Sequence, residues 1–228
     1  IEPVQRIIPP VPGFLQGLRE VTERYQIPLV FDEIVTGFRL SYGGAQSADG
    51  GYGVVPDLCT LGKIVGGGFP LAAVAGREEI MRCFDPQRAE PGTYVSQVGT
   101  LSGNPIAAVA GLATLEVMRR PGTYDKIRAT GRKLQEALKR LFAQAEIPIQ
   151  LVGVECLFDV YFTDQPITTY RSSLKADKAM LGRFNMLLLE KGILKGYPQK
   201  FYIGLCHTEE DIQRTIEAFE WAVERVRG

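Results

Sequence analysis

The sequence predicts an α/β domain built on a mainly parallel sheet, followed by a smaller α+β domain. Three observations carry this. Short apolar runs alternate with amphipathic segments as far as about residue 118, as in sheets whose strands are joined through helices. A long charged amphipathic segment at 123–145 then ends that alternation, and two strand-like runs follow it at 149–154 and 156–162,. The bulk numbers allow both parts, because 228 residues suffice for one large domain or two small ones, and 45% hydrophobic with 23% charged residues suits a chain that buries a core,. The boundary falls between residues 118 and 119, giving domains 1–118 and 119–228.

Taken in order, residues 12–26 form an amphipathic helix opened by Pro12, with Phe14, Leu18, Val21 and Tyr25 as its apolar stripe,. The run Pro28-Leu29-Val30-Phe31 then breaks into Asp32-Glu33, the shape of a buried strand that delivers acidic residues at its C-terminal end. Residues 57–61 and 71–75 read as two more short buried strands, with Gly66-Gly67-Gly68 between them. Helices are expected at 77–84, 104–118 and 123–145. Beyond the two strands at 149–154 and 156–162 come a helix at 174–191, a strand at 201–206 and a last helix. That helix has Thr208 as N-cap, Asp211 as a capping-box partner, and Ile212, Ile216, Phe219, Val223 and Val226 as its stripe,. Residues 163–175 are the expected mobile loop,.

Composition excludes several classes of function. Lys plus Arg and Asp plus Glu are equal at 26 each, so no net field points to nucleic acid or an anionic membrane,. No apolar run approaches the roughly 18 residues that span a bilayer,. The opening IEPVQRIIPP has no long apolar stretch of a signal peptide,. Cys59, Cys83, Cys156 and Cys206 lie far apart, with no CxxC pair. They suit buried thiols in a reducing cytoplasm, with two disulfides as the alternative. A single histidine, His207, argues against a zinc site and against Ser-His-Asp hydrolysis, so no metal is expected,. The chain opens with isoleucine, which suggests that it is processed, truncated or partly represented.

Three places concentrate chemistry. Asp32 closes a buried strand, where a carboxylate is costly without a partner,. It either caps a helix or pairs with Arg39, or it holds a cationic group above the sheet edge where open α/β sheets place ligands. Lys63 follows a buried strand and precedes three glycines, so it is expected not to be a solvated surface charge; the setting suits a backbone that passes close to a ligand and a lysine that serves as a nucleophile. The same pattern also occurs in plain loops. Thr100 lies in GTLSGNP (99–105), ahead of a helix start, where hydroxyls and free N–H groups bind phosphate. The simpler alternative is that Ser102 or Asn104 caps that helix, and Asn104 is expected to do so in any case.

With these residues in place, VFDEIVTGFRLSYGGAQ (30–46), PDLCTLGKIVGGGFPLAAVAGREEIM (56–81) and GTLSGNPIAAVAGLATLE (99–116) closely resemble class III aminotransferases, nearest the glutamate-1-semialdehyde aminomutase branch. The similarity continues more weakly through EKGILKG (190–196) and HTEEDIQRTIEAF (207–219). The resemblance implies the pyridoxal-phosphate (PLP) fold type I, with the C-terminal portion of the large domain followed by the small domain. It implies PLP as cofactor, and an enzyme that moves an amino group between a small-molecule donor and a carbonyl acceptor. In the matched positions Lys63 would carry PLP as a Schiff base and Asp32 would pair with the pyridine nitrogen. Ile34 would pack on the ring, and Thr100 would bind the phosphate across a homodimer interface with shared active sites. Val35 stands where many class III enzymes carry glutamine, and its apolar character fits the aminomutase branch. Glu33 has either a structural or a cofactor-adjacent role.

Two departures from the family pattern stand out. The family's N-terminal part, with a small-residue phosphate-binding turn and a ring-stacking aromatic, has no match here, since the resemblance starts at about Glu2-Pro3-Val4. The stretch 192–206 is more compact than in the aminomutases. General transamination is therefore the first reading, glutamate-1-semialdehyde aminomutase the second, and a non-catalytic fragment or assembly partner the third.

Overall fold

A computed structural model describes residues 7–195 and 200–227. The start of the resemblance at Glu2-Pro3-Val4, Gly196 of the EKGILKG stretch and the rest of 196–199 lie outside the described residues. The chain forms two compact units, one containing Pro10–Pro121 and the other Gly122 onward together with residues 7–9.

In the first unit, helix α1 (Phe14–Arg24) packs on the sheet through Leu15, which shares a core cluster with Leu29, Phe31, Val54 and Cys59. The face toward the sheet is Leu15, Leu18 and Thr22; of the predicted stripe only Leu18 lies on it, because Phe14, Val21 and Tyr25 are exposed. The face was misread because it includes a threonine. The Thr22 hydroxyl donates to the Leu18 and Arg19 carbonyls, both at 2.9 Å, and a satisfied hydroxyl can sit against a core at little cost.

Strands β1 (Val30–Glu33), β2 (Leu58–Leu61) and β3 (Ala73–Gly76) form one sheet in the order β1-β2-β3. β1 and β2 are parallel, whereas β2 and β3 are antiparallel. The α/β class stands, but the described sheet is mixed. Residues 62–72 join β2 to β3 through a single 3₁₀ turn (Lys63–Gly66), and a parallel return needs a longer crossover, usually a helix. β3 was expected to be buried, yet all four of its residues are exposed. Helix α2 (Glu78–Met81) runs into a 3₁₀ turn, and helix α3 (Pro105–Met118) completes the unit.

Asp57 ties this unit together. Its carboxylate accepts from the Leu29 N–H at 2.7 Å, from Arg19 of α1 at 2.8 Å and from Arg77 after β3 at 3.0 Å. Burial alone would raise its pKa, but the Leu29 amide and the two guanidiniums outweigh burial and hold it at about 2,.

The second unit begins with helix α4 (Thr123–Gln144), followed by the hairpin β4 (Ile149–Val154) and β5 (Leu157–Phe162). Helices α5 (Tyr170–Ser173) and α6 (Lys178–Glu190), strand β6 (Phe201–Tyr202) and helix α7 (Glu209–Val223) complete it. Its sheet is antiparallel, in the order β4-β5-β6. Every residue of β5 is buried, and Phe142, Phe162, Phe184, Phe201 and Phe219 meet in its core with ring centroids 5.2–6.3 Å apart. The expected strand at 201–206 stops after Tyr202, because the chain turns there and the Gly204 N–H donates to Nδ1 of His207. The stretch 163–175 is not all loop: Thr169 and Ser172 form a capping box on α5. α7 has the expected Thr208–Asp211 box, and its stripe from Ile212 to Val226 faces inward, with Ile216 half-buried.

One charged pair in this core escaped sequence analysis. Asp159 of β5 accepts from Nζ of Lys195 at 3.1 Å, and both side chains are buried. Burial pushes the Asp159 carboxyl up and the Lys195 ammonium down, each partly opposed by the other's charge. Among the described residues no helix is long and apolar enough to cross a membrane. Among the described residues no cysteine is in a disulfide, and Cys206 is exposed, contrary to the expectation of buried thiols.

Asp57 has a folded-state pKa depressed from 3.8 to about 2. Its contribution to stability is therefore fully present above about pH 4 and is lost as pH falls through about 2. Asp57→Asn is expected to lower stability at neutral pH by about 1–3 kcal/mol and to flatten the loss of stability over that acid range. Denaturant unfolding at a series of pH values checks this; an unchanged acid profile would contradict it.

Candidate active site

Side chains alternate across a strand, so Asp32 and Glu33 at the end of β1 face opposite ways. Asp32 stands in register with Thr60 of β2. Its Oδ1 accepts from the Thr60 hydroxyl at 3.3 Å and from the Ile34 N–H at 3.1 Å. The second bond is an Asx turn, a local arrangement that neither the helix-cap nor the Arg39 alternative anticipated. Both hydrogen bonds recorded for Asp32 among the described residues fall on Oδ1, which leaves Oδ2 for a cationic partner.

Glu33 is 1% exposed. It accepts from the Thr36 hydroxyl, the Ala45 and Gln46 N–H groups and the Gln46 side-chain amide, at 2.7–3.4 Å. A buried carboxylate is tolerable only when so surrounded by donors.

Lys63 opens the 3₁₀ turn after β2 with φ of 50°. A positive φ is uncommon for a residue with a side chain, costs about 1–3 kcal/mol and occurs preferentially at functional sites. Sequence analysis expected Lys63 to be shielded from solvent; it is exposed. The turn buries Val65 and Gly66 and packs on α3, which leaves Lys63 at its outer end. Gly67 serves that packing. A Cβ there would lie 2.3 Å from the Thr114 hydroxyl and 2.8 Å from the Ala110 carbonyl. It lets the turn approach a helix, where the sequence pattern suggested a ligand.

A cavity of about 880 Å³ opens in this unit between the C-terminal ends of β1 and β2, the β3 segment and the loop ahead of α3. Ile34, Thr60, Leu71, Gln97, Thr100 and Ser102 are on its wall. It thus brings together Ile34 and Thr100, two of the predicted residues, and reaches Asp32 through Thr60. Lys63 is not on that wall. Sequence analysis missed Thr60, Gln97 and Ser102. Thr60 left a signal, as the polar residue inside the apolar run Leu58–Leu61. At the head of α3, Asn104 is the N-cap and accepts from the Ile106 and Ala107 N–H groups, as expected. Among the described residues no cluster of His, Cys, Asp or Glu could hold a metal.

The chain belongs to the class III aminotransferase family, whose model matches residues 1–223. A glutamate-1-semialdehyde 2,1-aminomutase of Pelotomaculum thermopropionicum is 42% identical over 99% of this chain and 52% of its own length. The solved omega-transaminase of Sphaerobacter thermophilus is 34% identical with a TM-score of 0.86, over 95% of this chain and 48% of that one. A transaminase solved with PLP bound is 27% identical with a TM-score of 0.79, over 94% and 48%. The fold is thus that of PLP fold type I transaminases. The chain spans about half the length of the curated relatives it matches.

Asn104→Ala leaves two amides at the start of α3 without their acceptor and is expected to cost about 1 kcal/mol. Thermal or denaturant unfolding measures this; no loss would show that the cap contributes nothing here.

Proposed function

We propose that the chain provides the cofactor-binding part of a PLP-dependent aminotransferase that moves an amino group between an amino acid or amine and a keto acid or aldehyde. Lys63 is the residue that joins PLP covalently. The observation that carries this reading is the cavity shared by Ile34, Thr60 and Thr100 at the sheet's C-terminal edge, with Asp32 bonded to Thr60, in a chain of this family. The residues present fit the group. Ile34 offers an apolar wall to a ring, and the Thr100 and Ser102 hydroxyls suit a phosphate beside a helix N-terminus. Oδ2 of Asp32 suits a protonated ring nitrogen. One relative is solved with PLP bound.

When bound, PLP supplies the electron sink for charge that develops at the substrate's α-carbon. The protein's part is positional. Asp32, oriented by Thr60 and the Ile34 amide, keeps a positive charge on the ring nitrogen. Exposure leaves Lys63 Nζ within reach of incoming PLP, and once released Nζ would take the proton from the substrate's α-carbon and hand it to the cofactor carbon bonded to the amino group. Residues 1–118 then belong to the PLP-binding large domain and 119–228 to the small domain. A homodimer with shared sites is supported by Thr100 and by Ile106, Val109 and Leu112, all exposed; the last three belong to a helix that is apolar all round, a type normally covered. Cysteines that are not joined in disulfides support a cytoplasmic location,.

The second reading is intramolecular amino transfer on glutamate 1-semialdehyde, favoured by the 42% identical aminomutase and by the apolar Val35, which is buried. The third, a non-catalytic assembly partner, is disfavoured because Asp32, Lys63 and Thr100 are all present. Protein titrated with PLP is expected to turn yellow, and Lys63→Ala to retain PLP non-covalently while turnover falls about a thousandfold or more. A protein that takes up no PLP contradicts both enzyme readings, and full turnover by Lys63→Ala contradicts the role of that lysine. Glutamate 1-semialdehyde, compared with an amine plus pyruvate, separates the first two readings.

A further inference from the structure

The segment 30–46 contains more than the cofactor residues account for. Asp32 stands on one face of β1, with Ile34 just beyond the strand end, and Glu33 on the other face is only 1% exposed. Its donors come from far along the chain. Thr36 is three residues on, but the Ala45 and Gln46 amides are twelve and thirteen residues on. The carboxylate therefore closes a loop against the back of the strand. The loop is shaped around it: Gly44 has φ of 71°, and a Cβ there would lie 2.4 Å from Oε2 of Glu33. The Ser41 hydroxyl secures the same turn by donating to the Gly44 carbonyl at 3.0 Å.

The pairing of β1 with β2 ends at Glu33 with Leu61. Ile34 lies beyond that ladder, and its amide is held by Asp32. The Asx turn that orients Asp32 thus sits just past the last β1–β2 pair, beside the carboxylate that holds the loop.

We infer that Glu33 is a positioning residue: by clamping the 36–46 loop to the rear of β1, it fixes the strand end on which Asp32 and Ile34 stand. This rests on the reading of Asp32 and Ile34 as cofactor residues. Glu33 touches neither the cavity wall nor the proposed cofactor, and it acts through the backbone of its two neighbours. Glutamine has nearly the same shape, but it turns one acceptor oxygen into a donor that faces N–H groups.

The test is residue-resolved amide hydrogen exchange on the 228-residue protein and its Glu33→Gln variant, with no cofactor required. The variant is expected to exchange about tenfold or more faster at whichever of Ala45 and Gln46 faces the new amide group, because these two N–H groups bond to different oxygens of Glu33 and one oxygen is lost,. It is also expected to exchange faster at Ile34, whose amide bonds to Asp32 and not to Glu33. Amides of the second unit, such as Val160, should not change. Faster exchange at Ala45 or Gln46 with Ile34 unaffected would reduce Glu33 to a loop staple and overturn the inference, as would no change at any of the three. Should Glu33→Gln not fold, Thr36→Val removes one donor and is judged by the same three amides. In protein that binds PLP, Glu33→Gln should also weaken PLP about tenfold, and unaltered affinity would count against the inference. If the parent protein takes up no PLP, the functional reading fails while the exchange result still decides the coupling.

Discussion

The candidate site depends on the register of β1 against β2. Pairing Asp32 with Thr60 sets the carboxylate beside a hydroxyl donor, and the same register sends Glu33 to the opposite face. A slip of one residue would exchange those faces and put the wrong acid toward the cavity. The register is anchored at the other end of the pair, where Asp57 accepts the Leu29 amide and the two guanidiniums that flank the sheet. Three acidic residues therefore divide the work of one short parallel pair. Asp57 fixes its start, Glu33 fixes the back of its end, and Asp32 is left on the open face with one oxygen uncommitted.

This division was only partly legible in the sequence. An apolar run that breaks into Asp32-Glu33 announced a strand delivering acids to an edge, and three motifs announced the family. Period-two alternation could not say which acid faced the cavity, because the strand is four residues long and the deciding bonds come from Thr60, Ala45 and Gln46. Lys63 shows the converse. Its flanking strand and glycines suggested shelter and a ligand, but Gly67 accommodates α3, and the lysine is left in solvent. Contacts made by backbone atoms across tens of residues leave little trace in local pattern.

The second unit was easier to read because its elements are longer and its caps are side-chain motifs. The Thr208–Asp211 box and the stripe of α7 are local features that a sequence states directly. The buried Asp159–Lys195 pair is not local, and nothing within LFDVYF itself points to Lys195. That strand buries both faces, so the aspartate needed a cation from elsewhere in the unit, and Lys195 supplies it.

All of these placements serve one claim, that Lys63 is the covalent anchor for PLP. The most direct measurement is to incubate the protein with PLP, reduce it with borohydride, digest it and locate the added pyridoxyl mass by tandem mass spectrometry. The account predicts a single stoichiometric label on Lys63. A label spread over surface lysines, or one concentrated on another lysine such as Lys195, would contradict it.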